Sequence, residues 1–359
     1  MTRASPAGTQ LRILGIGAVT SVGLGAASTA AAVRAGISRA RETALRPTTD
    51  PDHAPVALMG HTVAAVDGFV APGRNRRLAA MAVRDLLESL PERATAPDTW
   101  QRTGLLVCAA PAAAGTSGDS VDAVVAAVRD DLALAVPREA VVVVRGEHAA
   151  AAAALLQAGK PLAGKVKVER WLLVAVDSLV EPSRLEQLLD EDRVKHDDNP
   201  VGVSPGEGAA ALLLTTRTDA AAACGLLFAA AGADAPVDAV AETTEVGRRV
   251  AAATRAALQA AGAVERPGDA WVDLTGEPWR AQVWGNALVR GKHLHDRALQ
   301  LPIADIGDLG AATGAVLVCL AVRSFARGHA GGDAALIVTT EPDGSVAALV
   351  VRAAEGSTR

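Results

Sequence analysis

Aromatic side chains are nearly absent from this chain of 359 residues, which has five Trp, three Phe and no Tyr. A core with so few rings must be packed from Ala, Val and Leu through close contacts between small side chains. Single-stranded nucleic acids need exposed rings for base stacking, and duplexes need a positively charged surface. The formal net charge is −5, so the chain offers neither feature and we expect no nucleic-acid partner.

Cysteine is scarce as well. The chain has three cysteines without a Cys-x-x-Cys spacing, which gives neither a disulfide framework nor a pair of zinc ligands. The segment Met1–Gly36 has Arg3 ahead of an apolar stretch, as in a secretory signal, but glycines 15, 17, 23 and 25 interrupt that stretch. No unbroken apolar run of about 18 residues occurs. We therefore expect a cytoplasmic protein with no membrane span, no metal and no cofactor.

Short runs of β-branched residues alternate with longer helical patterns, which is typical of βα units around a mostly parallel sheet. The sequence thus predicts an α/β protein. The predicted strands are Leu11–Val19, Pro55–Gly60, Gly104–Ala109, Ala140–Arg145, Trp171–Asp177, Ala209–Thr215, Gly225–Gly232, Ala270–Leu274, Ala334–Thr339 and Val346–Val351. Helical spacing is found over Ala26–Ala35, Val121–Leu132 and Glu245–Ala261.

Two further helices are apolar on nearly every face, Glu147–Ala158 and Leu309–Phe325. A helix that is apolar all round is buried. One such helix lies in each half of the chain and precedes a strand, which predicts a duplicated unit whose two central helices pack between sheets. Gly310 and Gly314 would allow the two backbones to approach closely. We place the boundary between the halves so that they span residues 1–221 and 222–359.

Three segments resemble the β-ketoacyl synthases of the thiolase superfamily. The first is ILGIGAVTSVGLGAASTAAAVRAG (Ile13–Gly36), the family's first strand, glycine turn and helix. The second is Val174–Leu214, with VDSL, DNPVG and PGEGAA in the family's order and spacing. The third is IGDLGAATGAVLVCLAVRSFARG (Ile306–Gly328). The resemblance implies a thiolase-like fold, a duplicated βα unit in a five-layer α-β-α-β-α sandwich.

The resemblance also implies where catalytic groups would lie, and at each place another residue is found. The nucleophilic cysteine belongs at the start of the first buried helix, where this chain has Gly146, Glu147 and His148. The two catalytic histidines are replaced by Thr275 and Asp308. We therefore predict no catalytic residues, only degenerate equivalents of them.

His148 is the remaining residue of chemical interest at the nucleophile turn. The positive end of a helix dipole lowers the pKa of a histidine, so His148 could act as a neutral base. The alternative, which we favour, is a polar residue tolerated in a remnant pocket.

Asp273, Glu277 and Asp308 are expected to lie near the same pocket. Paired carboxylates can carry out general acid–base chemistry. They can equally cap the following helix or pair with Arg145, and we favour such a structural role.

Other candidates for chemistry are weaker. Cys108 lies within a strand and Cys319 within an apolar helix, where a thiol is inert, and nothing basic lies beside Cys224. His293 and His295 form a His-x-His pair without two further ligands, so a solvated loop is the preferred interpretation.

A narrower resemblance suggests a function. The phrases AAVRAGISRARE (Ala31–Glu42) and DLTGEPWRAQVWG (Asp273–Gly285) resemble short, degenerate ketosynthase-like proteins associated with type VI secretion clusters. The resemblance implies a pseudoenzyme that acts as an adaptor or chaperone for a secreted effector. The alternatives are an acyltransferase with a relocated nucleophile and a non-catalytic partner of an active ketosynthase. Only 35 residues separate Ala110 from Gly146, fewer than in the segment that covers the acyl pocket and contributes to the family's dimer. The short segment argues against the family's usual dimer, although a homodimer is one of the partners considered.

Overall fold

The computed structural model describes residues 10–43, 45, 58–111, 120–158, 167–217, 225–232 and 236–353. The strands in this part of the chain are β1 (Gln10–Thr20), β2 (Arg41–Glu42), β3 (Met59–Gly60), β4 (Thr103–Ala109), β5 (Val141–Arg145), β6 (Arg170–Ser178), β7 (Glu207–Thr215), β8 (Gly225–Gly232), β9 (Gly268–Val272), β10 (Arg297–Gln300), β11 (Ala334–Thr340) and β12 (Val346–Ala353). The α-helices are α1 (Ala26–Arg34), α2 (Gly73–Ser89), α3 (Pro97–Trp100), α4 (Ser120–Ala126), α5 (Ala150–Ala158), α6 (Pro182–Asp190), α7 (Thr243–Ala260), α8 (Pro278–Arg290), α9 (Ile303–Ile306) and α10 (Thr313–Ala326).

The main sheet has ten strands in the order β10-β9-β11-β12-β8-β1-β7-β6-β4-β5. When the main-sheet strands of each half are numbered along the chain, both halves have the order 3-2-4-5-1 from their outer edge inward. The halves meet where β1 pairs antiparallel with β8, from Gln10 opposite Phe228 to Ile13 opposite Gly225. The repeated strand order confirms the predicted fold class. The boundary predicted between residues 221 and 222 lies outside the described residues.

The core is divided by the sheet into three main clusters. The central cluster contains α5 and α10 together with inward-facing residues of β4, β6 and β7 from one half and β8, β11 and β12 from the other. A second cluster lies beneath α2 and α4, and a third lies beneath α7 and α8. Helices therefore cover both outer faces and fill the middle, which gives the five layers that the resemblance implied.

Of the two central helices, α10 is buried as predicted, whereas in α5 Ala153 and Leu156 are half-buried and Gln157 is exposed. In α10, every residue from Thr313 to Val322 is buried. A β-carbon added to Gly314 would lie 2.7 Å from the carbonyl oxygen of His148. The glycine is thus required for the close approach of α10 to the turn before α5.

Several predicted boundaries need correction. Helix α5 begins at Ala150 rather than Glu147, because Glu147–Ala149 form a turn. The predicted strand Pro55–Gly60 is reduced to Met59–Gly60, which pairs with β2 outside the main sheet, and residues 55–57 lie outside the described part. The helix over Val121–Leu132 ends in a π-helical turn at Ala127–Asp131.

Helix α2 was not predicted at all. It is 17 residues long, and its buried side chains pack on β1 and β7. Among the described residues, no helix is both long enough and apolar enough to cross a bilayer.

Candidate functional site

Three distant segments of the chain meet at His148. The turn after β5 carries the histidine, the loop after β9 carries Asp273, and the turn before α10 carries Asp308. The His148 Nδ1 atom lies 2.9 Å from Oδ2 of Asp273, and Nε2 lies 2.7 Å from Oδ1 of Asp308. The side chain of His148 is 1% exposed. An imidazole can donate from both ring nitrogens only when it is protonated, so two carboxylate partners imply the imidazolium form.

The pKa of His148 agrees with this geometry. Burial and the charge of Arg280 favour the neutral ring, but the charge of Asp308 and the hydrogen bonds to both carboxylates outweigh them and raise the pKa of His148 to about 10. The expectation of a neutral base lowered by the helix dipole is therefore wrong. Carboxylates at hydrogen-bonding distance act far more strongly than the dipole of one helix terminus.

Asp308 has two roles. Its Oδ1 atom accepts a hydrogen bond of 2.8 Å from the backbone N–H of Gly310, just before α10, as well as that from His148. Burial alone would raise the pKa of Asp308, but the charge and hydrogen bond of His148 hold it well below the usual range of an aspartate. The residue therefore both caps the turn into α10 and pairs with the cation opposite.

A buried arginine completes the cluster. Arg280, on the first turn of α8, is 1% exposed, and its Nη1 atom lies 2.8 Å from Oδ2 of Asp273. The same Nη1 donates to the carbonyl oxygen of Thr340 at 2.7 Å, while Nε lies 3.3 Å from Oε2 of Glu277. Its guanidinium stacks 4.3 Å from the ring centroid of Trp279. Asp273 is thus held between two cations, which keep its pKa below the usual value although burial opposes this.

Glu277 extends the cluster toward the surface. Its Oε1 atom accepts a hydrogen bond of 2.8 Å from Nε of Arg193, and its Oε2 accepts one of 3.0 Å from the hydroxyl of Thr275. The pKa of Glu277 is lowered, because the charges of Arg280 and Arg193 outweigh the effect of burial. The carboxylates singled out from the sequence therefore find cationic partners in His148, Arg280 and Arg193. Arg145, the cation considered from the sequence, donates to the carbonyl oxygen of Ala110 on the exposed edge.

Glu341, in the loop after β11, is a further carboxyl group of the cluster. Its Oε1 atom accepts a hydrogen bond of 2.7 Å from the backbone N–H of Ala149, at the entrance to α5. Burial, with a smaller contribution from the charge of Glu147, raises the pKa of Glu341 to about 7 despite the nearby His148. Glu341 is thus a carboxyl group of this cluster that titrates near neutral pH.

The five positions predicted from the resemblance are brought to one place, but they are not equivalent. His148 and Asp308 are in direct contact, whereas Thr275 is linked to His148 through Glu277, Arg280 and Asp273. Gly146 supplies backbone contact only, with its N–H bonded to the carbonyl oxygen of Ala109 at 3.1 Å. The predicted loss of catalytic groups is not tested by this placement and stays a prediction.

Arg280 and Arg193, which neutralise the acidic residues identified from the sequence, were not predicted. One signal was available for Arg280, because it follows Glu277 by three residues at a helix start, where the two side chains share a face. No such signal marked Arg193.

The cysteines lie elsewhere. The Cys108 thiol is buried and faces the carbonyl oxygen of Ala150 at 3.6 Å, and burial raises the pKa of Cys108 far above that of a reactive thiol. Cys319 is buried within α10, and Cys224 is outside the described residues.

His293 and His295 do not converge on a common ligand. His293 Nε2 lies 2.9 Å from the hydroxyl of Thr254, and His295 Nε2 lies 2.8 Å from the carbonyl oxygen of Leu288. Within the described ranges, no group of three His, Cys, Asp or Glu side chains is placed to hold a metal ion.

Comparison with known proteins identifies the fold of the chain. No protein-family model and no curated protein matches the sequence. Solved structures match along nearly the whole chain. The ishigamide ketosynthase/chain length factor has a TM-score of 0.66 and 20% identity over 96% of this chain and 99% of that one. The fold is the thiolase-like fold of the ketosynthases.

Two further ketosynthase-fold structures agree. The ketosynthase ApeO in complex with its chain length factor ApeC, from Xenorhabdus doucetiae, matches with a TM-score of 0.71 and 14% identity, over 98% of this chain and 100% of that one. A β-ketoacyl synthase from Burkholderia phymatum matches with a TM-score of 0.70 and 15% identity, over 96% and 99% of the two chains. At these identities the likeness concerns the fold and leaves the activity to be argued from the site.

Proposed function

We propose that this protein is a catalytically degenerate ketosynthase-like protein that acts by binding another protein. The observation that carries the proposal is the engagement of both ring nitrogens of His148 by Asp273 and Asp308 at 1% exposure. A general base needs a free lone pair, and a nucleophile needs access to its substrate. Neither is available at His148. The buried charge cluster includes the positions at which the resemblance would put the catalytic groups.

The alternative of a relocated nucleophile finds little support. No Cys or Ser lies between Glu139 and Leu156. Cys108 and Cys319 are both buried. A buried thiol in apolar surroundings stays protonated and is a poor nucleophile. Neither Cys108 nor Cys319 is therefore suited to act as a relocated nucleophile.

Intact mass spectrometry tests the loss of catalysis directly. The purified full chain is incubated with acetyl-CoA, malonyl-CoA and a long-chain acyl thioester, and its mass is compared with that of an untreated sample. We expect no acyl adduct. An active ketosynthase treated in the same way serves as the positive control, because its cysteine must become acylated.

A stoichiometric adduct on one residue would overturn the proposal and identify the relocated nucleophile. Conversion of malonyl-CoA to acetyl-CoA and CO2 in step with protein concentration would do the same, since it would show decarboxylation without a stable adduct.

The binding part of the proposal is supported by the edge strand β5. Within the described residues this strand pairs with β4 alone, and it reads Val141 to Val144 followed by Arg145. Val143 is 43% exposed. An apolar edge strand with unpaired backbone groups can accept a strand from another chain. We propose β5 as the contact strand for the protein partner.

Two candidates for the protein partner are supported by different observations. The resemblance of Ala31–Glu42 and Asp273–Gly285 to proteins of type VI secretion clusters favours an effector or secretion component. The second candidate is an active ketosynthase, which is favoured by structural neighbours named as complexes of a ketosynthase with its chain length factor. Secretion genes beside the gene of this protein would support the first partner, and a full-length ketosynthase gene would support the second.

A charge on the edge strand tests the role of β5. Each candidate partner is co-expressed with wild type, with Val143→Lys and with Val289→Lys, whose parent residue is 82% exposed on α8 and matches Val143 in type. Size-exclusion chromatography with light scattering measures complex formation. We expect Val143→Lys to abolish the complex and Val289→Lys to retain it. Equal complex formation by both variants would exclude β5 as the contact strand.

A further inference from the structure

A cation-lined cavity lies at the outer edge of the C-terminal half, away from the His148 cluster. It has a volume of about 730 Å³ and is bounded by the end of α8, by β10 and by the loop before β9. Five of its lining side chains are cationic: Arg255, Arg266, Arg290, Lys292 and Arg297. Two are acidic, Glu265 and Asp296. An excess of positive charge here contrasts with the formal net charge of −5 for the whole chain.

Arg297 is the deepest of these cations. It is 7% exposed, and its Nη2 atom donates to the carbonyl oxygens of Ala263 at 3.0 Å and Arg266 at 3.1 Å. Its Nε atom donates to the carbonyl oxygen of His293 at 3.3 Å. Its Nη1 atom is buried and has no hydrogen-bond partner in the described part of the chain. Three backbone carbonyls therefore hold the guanidinium in place while one nitrogen is left unused.

Asp269, the acid whose charge acts on Arg297, forms no ion pair with it. Asp269 acts on the guanidinium through its charge, but its own oxygens accept hydrogen bonds from Gln300 at 3.2 Å and from the backbone N–H of Gly331 at 3.1 Å. The described residues place Arg255 and Lys292 in no ion pair either. A buried charge without a counter-ion is unfavourable, so this cavity favours a ligand that supplies negative charge.

The pKa of His293 reflects the positive charge around it. Burial, followed by the charges of Arg255 and Arg297, lowers the pKa of His293 to about 4. The nearby cations thus add to the effect of burial in resisting a further positive charge at this position.

The cations beside α2 behave differently. Arg76 forms an ion pair of 2.5 Å with Asp131, and the guanidinium of Arg77 lies 3.7 Å from the ring centroid of Phe69. Their charges are already engaged by neighbouring side chains. At the C-terminal edge Arg266 also forms an ion pair, with Asp333, but among the described residues Arg255, Lys292 and Arg297 form none.

We propose that this cavity binds a phosphate-bearing anion. Guanidinium groups match phosphate oxygens in geometry and charge, and an exposed lysine adds a mobile positive charge. The volume is within the range of small-molecule sites and exceeds what a single inorganic phosphate fills, which favours a phosphate ester or a diphosphate. The phosphate can belong to a soluble molecule or to a lipid headgroup.

Binding measurements with two probes test the proposal. Isothermal titration calorimetry with pyrophosphate represents the soluble source. Sedimentation with phosphatidylcholine vesicles, with and without phosphatidic acid, represents the lipid source. The wild-type chain is compared with the double variant Arg255→Gln/Lys292→Gln, which removes two exposed charges and leaves the buried Arg297 in place. The control is Arg39→Gln/Lys167→Gln, an equal change of charge at two exposed residues outside the cavity.

We expect the cavity variant to weaken binding by at least ~10-fold, which corresponds to about 1.4 kcal/mol, and the control to stay within about twofold. Binding should also weaken as salt is added, since exposed charges are screened. Pyrophosphate binding that depends on the cavity would identify a soluble ligand. Binding to phosphatidic acid vesicles alone, with the same dependence, would identify a headgroup. Binding of neither probe by wild type, or an equal loss in both double variants, would overturn the proposal.

Discussion

The two central helices occupy the same place in the two halves of the molecule, yet the turns that lead into them carry opposite charges. Helix α5 follows the third main-sheet strand of the first half and is preceded by His148, whereas α10 follows the third main-sheet strand of the second half and is preceded by Asp308. The positive end of a helix dipole favours the carboxylate and disfavours the imidazolium. Asp308 is thus stabilised by its own helix, and His148 depends on residues of the other half.

This difference shows how the cluster is organised. The histidine from the first half is held by Asp273 and Asp308, both from the second half. Arg280, also from the second half, balances Asp273. The imidazolium of His148, which its own helix dipole disfavours, is therefore stabilised by contacts between the two halves. Substitutions that remove a charge from either half of the cluster should lower the stability of the protein.

The largest effect is expected from Arg280→Met. This variant leaves Asp273 and Glu277 with one fewer buried counter-charge, and breaking a buried ion pair costs about 3–5 kcal/mol of unfolding free energy. Urea denaturation followed by circular dichroism measures the change. Arg290→Met, an exposed position on the same helix, should change stability by less than about 0.5 kcal/mol. Equal effects of the two variants would contradict the importance of the cluster.

Raising the pH should remove the contribution of His148. The unfolded histidine titrates near pH 6.5 and the folded one near pH 10, so between these values only the folded protein keeps the proton. The stabilisation is complete below pH 6.5 and is lost progressively up to pH 10, at no more than about 1.4 kcal/mol per pH unit. Unfolding free energies measured at intervals over this range should fall for wild type.

His148→Gln provides the control, because it keeps a buried polar side chain that does not titrate. Its stability should depend less on pH over the same window. An equal slope for wild type and variant would show that His148 is not charged in the folded protein.

Glu341 gives a smaller effect in a lower pH window. Its pKa in the folded protein is raised to about 7, so the protonated form is preferred on folding, and stability is lost as the pH rises from about 4.5 to 7. Glu341→Gln keeps an oxygen that can accept from Ala149 and removes the titration. The variant should match wild type near pH 4.5 and exceed it by about 1–3 kcal/mol at pH 8. Thermal melts at these two pH values decide the matter, and a variant that is less stable at pH 8 would refute the assignment.

Glycine substitutions test the close approach of α10 to the turn before α5. Gly314→Ala places a β-carbon 2.7 Å from the carbonyl oxygen of His148, and overpacking of this kind costs about 1–3 kcal/mol. Gly285→Ala, on α8, meets no atom within 4 Å and should stabilise the protein by roughly 0.5–1 kcal/mol through helix propensity. Chemical denaturation of both variants should give opposite signs. A neutral Gly314→Ala variant would mean that the helices can separate.

Much of the fold could be predicted from local pattern. The strand Gly225–Gly232 has the predicted bounds, and the two central helices were identified because a helix that is apolar all round has few places to lie. Helix α2 was missed although Leu78, Val83 and Leu86 lie on its buried face. Between these residues the face is formed largely by alanine, which gives little contrast with the polar side.

The hydrogen bonds and the charge of His148 were not predicted from the sequence. His148 and Asp308 were placed by resemblance at two turns. The separations of 125 and 160 residues between His148 and its two carboxylates explain why their contact could not be inferred from spacing. The same holds for Arg193, 84 residues from Glu277. Nothing in the local sequence marks Arg193 as the partner of a distant glutamate.

The placement of α5 and α10 between the two halves of the sheet has a consequence for how the chain can be divided. Helix α5 contacts β8 and β12 of the second half, and α10 contacts β1 and β7 of the first. Neither half can bury its own central helix alone. A chain cut near residue 221 should give two fragments that are separately insoluble but regain structure when refolded together. Such a pair would be a split protein, in which folding of either fragment shows that the other is present.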